Sequence, residues 1–590
     1  MTLKPCRSIY PVILLLTLLA SCINKGSKHI SIVETTDIHG VIMPYDYIEK
    51  EALEGSLSAS YSYIKKLRTE RDALVLLDNG DNLQGQPAVY YYNFVDTVSP
   101  HLLAEAMNFM DYDAVTVGNH DVETGHSVYD RLIKEYDFPL LAANAVNIKT
   151  GKPYFKPYQI IRKSGIKIAI LGLVTPTIHN SLPGELYEGI EFRNMFETAR
   201  IWMPQIIQEK PDLIIGLFHT GWDNPKSENF QEESGTDEGS AAIAFNIPGF
   251  DIIFLGHDHR IANEKIVNIN GDTVLILNGG SRSMNLAQAD VTFEVLKFGK
   301  YRKVINGQIV KVADNKPDNE FIERFSENHN KVLGYVNEVI GNSSQTVSSR
   351  DSYFGSSGFV DMVHLLQLGI TGADISFAAP LSFDVKISEG PVTVSDMFKL
   401  YRFENMLYTI SMSGLEIDKY LEFSYSGWFN TVKGPDDMLL KLRTDKEGKP
   451  VMTNSQAWLK NPAYNFDSAA GIDYIVDVSK PEGSRITIRG FSDGRSFEEN
   501  KTYKVAVNSY RGNGGGGHFT EGVGLEKNEL MKRIITSTER DLRYYMIEEI
   551  RTKKTIEPVK LDNWKIVPES IVEKASVREY ELLFGERKYY

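Results

Sequence analysis

Short, continuously apolar runs, each ending in a polar cluster, constrain this chain more than any other feature. They include Ile30-Ser31-Ile32-Val33, Leu74-Val75-Leu76-Leu77, Ala114-Val115-Thr116-Val117, Ile168-Ala169-Ile170-Leu171, Leu213-Ile214-Ile215-Gly216-Leu217 and Ile252-Ile253-Phe254-Leu255. A strand with one wet face alternates apolar and polar residues. Runs without that alternation suit strands covered on both faces, as in layered α/β proteins. Helical patterns between them, for example Ser60 to Arg71 and Phe196 to Glu209, supply the covering layers. The region up to about residue 312 therefore reads as α/β with a mixed sheet core.

A chain of 590 residues is too long for one core, because single hydrophobic cores stop growing near roughly 250–300 residues. Residues 318–340 place Phe321, Phe325, Val332, Tyr335, Val336 and Val339 near helical spacing after Asp314-Asn315-Lys316-Pro317, which predicts a connecting helix within a linker spanning 313–345. This divides the chain into a first domain at 23–312 and a second α/β domain at 346–560. Residues 561–590 read as a charged, aromatic tail without an assignable role.

The 64 basic and 78 acidic residues leave a net charge of −14. That excludes a protein gripping duplex nucleic acid, which needs clustered cations to displace counterions. At the N-terminus Lys4 and Arg7 precede an apolar stretch, Val12 to Leu19, too short to span a membrane. It ends in Leu19-Ala20-Ser21-Cys22, which resembles the lipobox of bacterial lipoproteins. The resemblance implies cleavage after residue 21 and a lipid anchor on Cys22. The expected location is the bacterial envelope, in the periplasm or on the cell surface. The only other cysteine, Cys6, would leave with the signal at 1–22, so neither disulfides nor thiolate metal ligands are expected. No protein partner is inferred.

The chemistry is concentrated just past the ends of these strands. Thr36-Asp37-Ile38-His39-Gly40, Asn79-Gly80-Asp81-Asn82, Gly118-Asn119-His120-Asp121, Phe218-His219-Thr220-Gly221 and Gly256-His257-Asp258-His259 each lie immediately beyond a buried run. In layered α/β sheets that edge is where ligands bind. Five of the twelve histidines fall in these clusters. His126, His179, His329 and His364, outside them, are read as structural. Asp, Asn and His without Cys suit two divalent cations of the Zn, Mn, Co or Mg type. Such a pair, about 3.5–4 Å apart, activates water and clamps a phosphate for in-line displacement.

The order DxH, GD, GNH, H, GHxH resembles the calcineurin-like metallophosphoesterases. The resemblance implies a four-layer α/β/β/α N-terminal domain. In it Asp37, His39 and His259 hold one metal, Asn119, His219 and His257 the other, and Asp81 bridges them. It makes His120 the residue that protonates the leaving alcohol. Glu123, three residues on, is the orienting acid that the resemblance implies, with Asp121 the adjacent candidate. The second half resembles the C-terminal domain of 5′-nucleotidases through Thr371-Gly372-Ala373-Asp374-Ile375, Ala379-Pro380-Leu381, Asn405-Met406-Leu407-Tyr408 and Ser413-Gly414. It is closer still to 2′,3′-cyclic-nucleotide 2′-phosphodiesterase/3′-nucleotidases through Asp351-Ser352-Tyr353-Phe354, Tyr464-Asn465-Phe466-Asp467, Gly471-Ile472-Asp473-Tyr474, Asn508-Ser509-Tyr510-Arg511 and Gly514–Gly517.

That resemblance implies a substrate-binding domain that rotates against the first, with 318–340 as hinge region, and two aromatic rings that sandwich the base. Tyr464 and Tyr510 are the candidates, Phe466 the alternative to Tyr464, and Asn513 is read with them as substrate-binding. The glycine run is expected to bring backbone close to the ligand. The expected activity is hydrolysis of nucleotide phosphate esters. The alternatives are a 5′-nucleotidase or nucleotide-sugar hydrolase, and a nucleotide-binding lipoprotein without catalysis.

Overall fold

The computed structural model describes residues 27–585 apart from 225–238 and 297–300; the expected signal and Cys22 lie outside the described residues. Twelve strands form two sheets in the first domain: β1 (Lys28–Thr35), β2 (Leu74–Asp78), β3 (Ala114–Thr116), β4 (Leu140–Leu141), β5 (Tyr158–Lys163), β6 (Ile166–Val174), β7 (Leu213–His219), β8 (Ile252–Leu255), β9 (Ile261–Val267), β10 (Thr273–Gly279), β11 (Asn285–Val295) and β12 (Tyr301–Lys311). One sheet runs β12-β11-β1-β2-β3-β4 and the other β9-β10-β8-β7-β6-β5. In each, four neighbouring strands are parallel, and antiparallel strands close one or both edges.

Side-chain alternation explains why the apolar runs are unbroken. Ile30, Ile32, Val75, Leu77, Ile168, Ile170, Ile215 and Phe254 point into the space between the sheets. Their neighbours Val33, Leu74 and Leu76 point the other way, against helices Leu57–Glu70, Leu102–Phe109 and His126–Glu135. Leu171, Ile214 and Ile253 likewise meet helices Met195–Gln208 and Ser240–Asn246. Three buried clusters between four layers give α/β/β/α.

The helix expected over 318–340 is two helices, Asn319–Arg324 and Ser326–Val336. Phe321, Phe325, Val332 and Val336 are buried in the first domain's core. The second domain is built on a mixed sheet of β13 (Ile375–Ala378), β14 (Leu407–Ser413), β15 (Ser468–Ala470), β17 (Thr502–Asn508) and β18 (Ile534–Ser537), in the order β15-β13-β17-β14-β18. Residues 561–585 do not form a tail. Strand β19 (Trp564–Val567) pairs in parallel with β16 (Ile472–Asp477), and helix Glu569–Phe584 buries Ala575, Leu583 and Phe584 in the second core. A sparse apolar stripe on a charged helix hid this in the sequence.

The two domains meet over an aromatic contact. Tyr90 of the first packs against Phe398 of the second and donates its hydroxyl to Asp541 at 2.9 Å. No described helix is long and apolar enough to cross a membrane.

Candidate metal centre and nucleoside cavity

Every predicted ligand sits at the carboxyl end of a parallel strand. Asp37 and His39 follow β1, Asp81 follows β2, Asn119 and His120 follow β3, His219 ends β7, and His257 and His259 follow β8. The two sheets thus converge on one edge. Asp37, His39 and His259 bring ligand atoms within 4.8 Å of one another, and so do Asp81, His219 and His257. Asn119 joins the second group, its Oδ1 lying 3.1 Å from His219 Nε2. The backbone N–H of His257 donates to Asp37, and that of His120 to Asp81 at 2.8 Å, so the two groups are interlocked.

Local backbone geometry is strained here. Asp37, His39, Asp81, His257 and His259 all have φ between +48° and +70°, a left-handed conformation that costs about 1–2 kcal/mol per residue. Asp and His are among the few non-glycine residues that enter it at all readily. Five such residues at one edge are held there by their surroundings. Two glycines make room: a Cβ on Gly118 would stand 2.2 Å from Asp81 Oδ1, and one on Gly256 would stand 2.8 Å from Asp37 Oδ2.

The donor set fits divalent cations. His39 Nδ1 donates to the Gln84 carbonyl at 3.0 Å and His219 Nδ1 to the Asn79 carbonyl at 2.6 Å. A ring nitrogen bonded to a carbonyl must carry the proton, which aims the other nitrogen at the cluster. His39 Nε2 then faces His259 Nε2 at 3.0 Å, and His259 Nε2 lies 3.3 Å from Asp37 Oδ1. Burial holds His39 down at about 4, hence neutral. Burial opposes charge on His219 too, yet Asp81, 3.2 Å away, carries it up to about 10. Two fully buried carboxylates surrounded by imidazoles call for positive charge, and nitrogen and oxygen donors without thiolate suit borderline to hard divalent ions.

His120 stands beside this cluster. Its Nδ1 lies 2.5 Å from Glu123 Oε2, and its ring centroid is 5.5 Å from that of His39. Burial opposes its protonation, but Asp81 first and Glu123 next push it up to about 10. Asp121 does not serve His120. Its carboxylate accepts backbone N–H groups of Gly118, Asp81, Asn82 and Leu83, fixing the loop that carries Asp81. On the short helix Asn119–Val122 and its cap, residues three apart share a face, so Glu123 reaches His120 while Asp121 turns inward.

A cavity of about 280 Å³ opens next to His120. Asn119, His120, Glu123, Ser181 and Leu182 line it from the first domain, and Leu381, Phe403, Asn405, Tyr464, Asn508 and Tyr510 from the second. Tyr464 is 37% exposed. Its ring lies 6.4 Å from that of Tyr510 at an interplanar angle of 87°, and 5.9 Å from Phe403 at 81°, so the structure holds an angled aromatic wall rather than a parallel slot. Phe466 is not part of it: buried, it stacks on Trp428 at 4.9 Å. Asn513 is buried as well and donates to the carbonyls of Ser181 and Ser509, an interdomain contact behind the cavity wall. Leu381, Asn405 and Asn508 belong to the nucleotidase-like motifs, which are the signal for them in the sequence. Ser181, Leu182 and Phe403 carry no signature that sequence reasoning uses.

A two-sheet α/β/β/α fold with two adjoining clusters of Asp, His and Asn at its strand ends defines a metallophosphoesterase with a dinuclear centre. Residues 30–261 match the family model of the calcineurin-like phosphoesterases, and residues 339–521 that of the 5′-nucleotidase C-terminal domain. The chain thus carries a domain matching each of these two models in one polypeptide. It is 25% identical to the 2′,3′-cyclic-nucleotide 2′-phosphodiesterase/3′-nucleotidase of Salmonella typhimurium, over 94% of this chain and 91% of that protein. The trifunctional nucleotide phosphoesterase protein YfkN of Bacillus subtilis is 27% identical over 92% of the chain, which spans only 39% of that longer relative. The fold matches the 5′-nucleotidase precursor from Thermus thermophilus with a TM-score of 0.60 at 19% identity, covering 92% of this chain and all of that one.

Proposed function

We propose that the protein hydrolyses 2′,3′-cyclic nucleotides to 3′-nucleotides, and these to nucleosides and phosphate. The observation that carries this is the cavity joining His120 and Glu123 to Tyr464 and Tyr510 across the domain boundary. Asp37, His39 and His259 would hold one ion, Asn119, His219 and His257 the other, with Asp81 between. Two such ions supply Lewis acidity to the phosphate and lower the pKa of water.

The chain's own groups do the rest. His120, kept protonated by Asp81 and Glu123, gives its Nε2 proton to the departing ribose oxygen. That oxygen is the 2′ one in the cyclic ester and the 3′ one in the monoester, and each step consumes one water. Glu123 fixes the ring so that Nε2 faces the cavity. The tyrosines receive the base; stacking is worth about 1–3 kcal/mol and tolerates any base. The 25% identical Salmonella relative, aligned over nearly its whole length, favours this substrate class.

Rates on 2′,3′-cyclic AMP, 3′-AMP, 5′-AMP and UDP-glucose, measured on metal-reconstituted protein, test the reading. Preference for the first two is expected. Preference for 5′-AMP or UDP-glucose would make it a 5′-nucleotidase or nucleotide-sugar hydrolase, and AMP binding without phosphate release in saturating Mn or Co would make it a binding protein. We also propose export and a lipid anchor on Cys22. Cys22→Ser is expected to move the protein from the membrane to the soluble fraction.

A further inference from the structure

Arg511 lies under the nucleoside cavity, not in it. The side chain is fully buried, and its five N–H groups meet five acceptors. Nε donates to Asp467 Oδ2 at 2.9 Å, and Nη2 donates to Asp467 Oδ1 at 3.2 Å and to the Tyr464 carbonyl. Nη1 donates to Asn465 Oδ1 at 2.9 Å and to the Gly515 carbonyl at 3.0 Å. The guanidinium carbon is 5.3 Å from the centroid of the Tyr510 ring. One side chain thus ties the segment bearing Tyr464 to the segment bearing Tyr510. Asp467 is itself held by the Tyr420 hydroxyl.

The glycine run has a different use from the one its sequence suggests. A Cβ on Gly515 would lie 2.4 Å from the Tyr510 ring, and one on Gly516 would lie 2.2 Å from Arg511 Nη1. Gly516 also has φ +72°. The space left by these missing side chains is filled by Tyr510 and Arg511, not by a ligand.

We infer that Arg511 is a positioning residue for nucleoside recognition: paired with Asp467, it sets the relative placement of Tyr464 and Tyr510, and so governs affinity for the base without acting on the phosphate. This rests on the reading that the two tyrosines receive the base. Lysine cannot replace it, because an ammonium has three donors at one point whereas these acceptors need a planar fork.

The test uses the metal-loaded full chain with Arg511→Lys, Gly516→Ala and Tyr510→Ala, each checked for folding by thermal melting. KM and kcat for 3′-AMP are measured, together with inhibition by adenosine and by inorganic phosphate. For Arg511→Lys and Gly516→Ala, KM and the adenosine inhibition constant should rise about tenfold, while kcat and the phosphate inhibition constant stay within about twofold. Where Arg511→Lys does not fold, Gly516→Ala makes the same test, because its added Cβ displaces the guanidinium locally. A uniform loss against adenosine and phosphate alike, or unchanged KM while Tyr510→Ala raises it, overturns the positioning role and leaves the nucleoside site standing. If Tyr510→Ala also leaves KM and adenosine inhibition unchanged, the nucleoside reading itself falls.

Discussion

The two ends of the cavity treat buried charge in opposite ways. At the nucleoside end, Arg511 and Asp467 are 1% and 2% exposed and neutralise each other. Burial is the largest influence on both and works against charge, yet the partner's field, the hydrogen bonds between them and the neighbouring side chains together hold Asp467 below and Arg511 above their ordinary ranges. At the phosphate end Asp37 and Asp81 are as deeply buried, but their partners are the imidazoles of His259 and His219, the latter tied through its other nitrogen to a backbone carbonyl. One end is complete as the chain folds; the other is completed by cations. A binding platform gains from rigidity that owes nothing to solution conditions. A hydrolytic centre instead gathers carboxylates and imidazole nitrogens where cations and then phosphate will sit.

That contrast is broken most directly at Asp81. Asp81→Ala removes the group proposed to bridge the two ions, and metal content and phosphate release are both expected to fall to background. Metal analysis alongside turnover checks this; a variant with full metal and normal rates would end the bridging assignment. His120→Ala should separate the two quantities. It leaves all seven proposed ligands in place, so metal content is expected to hold while kcat drops about 10²–10⁴-fold, the usual contribution of a positioned acid. At the opposite end Tyr510→Ala should leave both metal and kcat near normal and raise KM about 5- to 150-fold, the range of one lost base stack. A kcat effect as large as that of His120→Ala would mean that the two ends are not separable.

Much of this division was legible in the sequence, for a physical reason. The proposed metal ligands are Asp, Asn and His, and the strands that carry them are largely apolar, so the boundary between Leu77 and Asn79-Gly80-Asp81, or Leu255 and Gly256-His257, announces itself. Orientation is another matter. Beside His120 the resemblance favours Glu123 and proximity offers Asp121, and it is the helical turn that separates them. Tyr464 and Phe466, two residues apart around the turn Ala463–Asn465, end up in cavity and core respectively. Ser181 and Phe403 meet over the cavity from chain positions 222 residues apart, and no local pattern encodes that meeting.

The smallest effect at neutral pH should come from Glu123→Gln, and it sharpens the comparison most. Glutamine keeps the length and a hydrogen-bond acceptor for His120 Nδ1 but removes one negative charge. In the wild type, Asp81 and Glu123 together raise His120 to about 10, so the imidazolium persists well above neutrality and kcat should hold on the alkaline side. A raised pKa means that the protonated form is lost only as pH climbs through it. Removing a contributing charge must therefore move the alkaline limb of the kcat profile to lower pH. At pH 7 the loss should stay within about tenfold, because His120 still has its proton there. KM for 3′-AMP and the acid limb should not move. Profiles of kcat from pH 5 to 10 for both proteins check the sign. An alkaline limb that stays in place would assign the proton held near neutrality to Asp81 alone, and Glu123 would then be an anchor for the ring rather than a source of its charge.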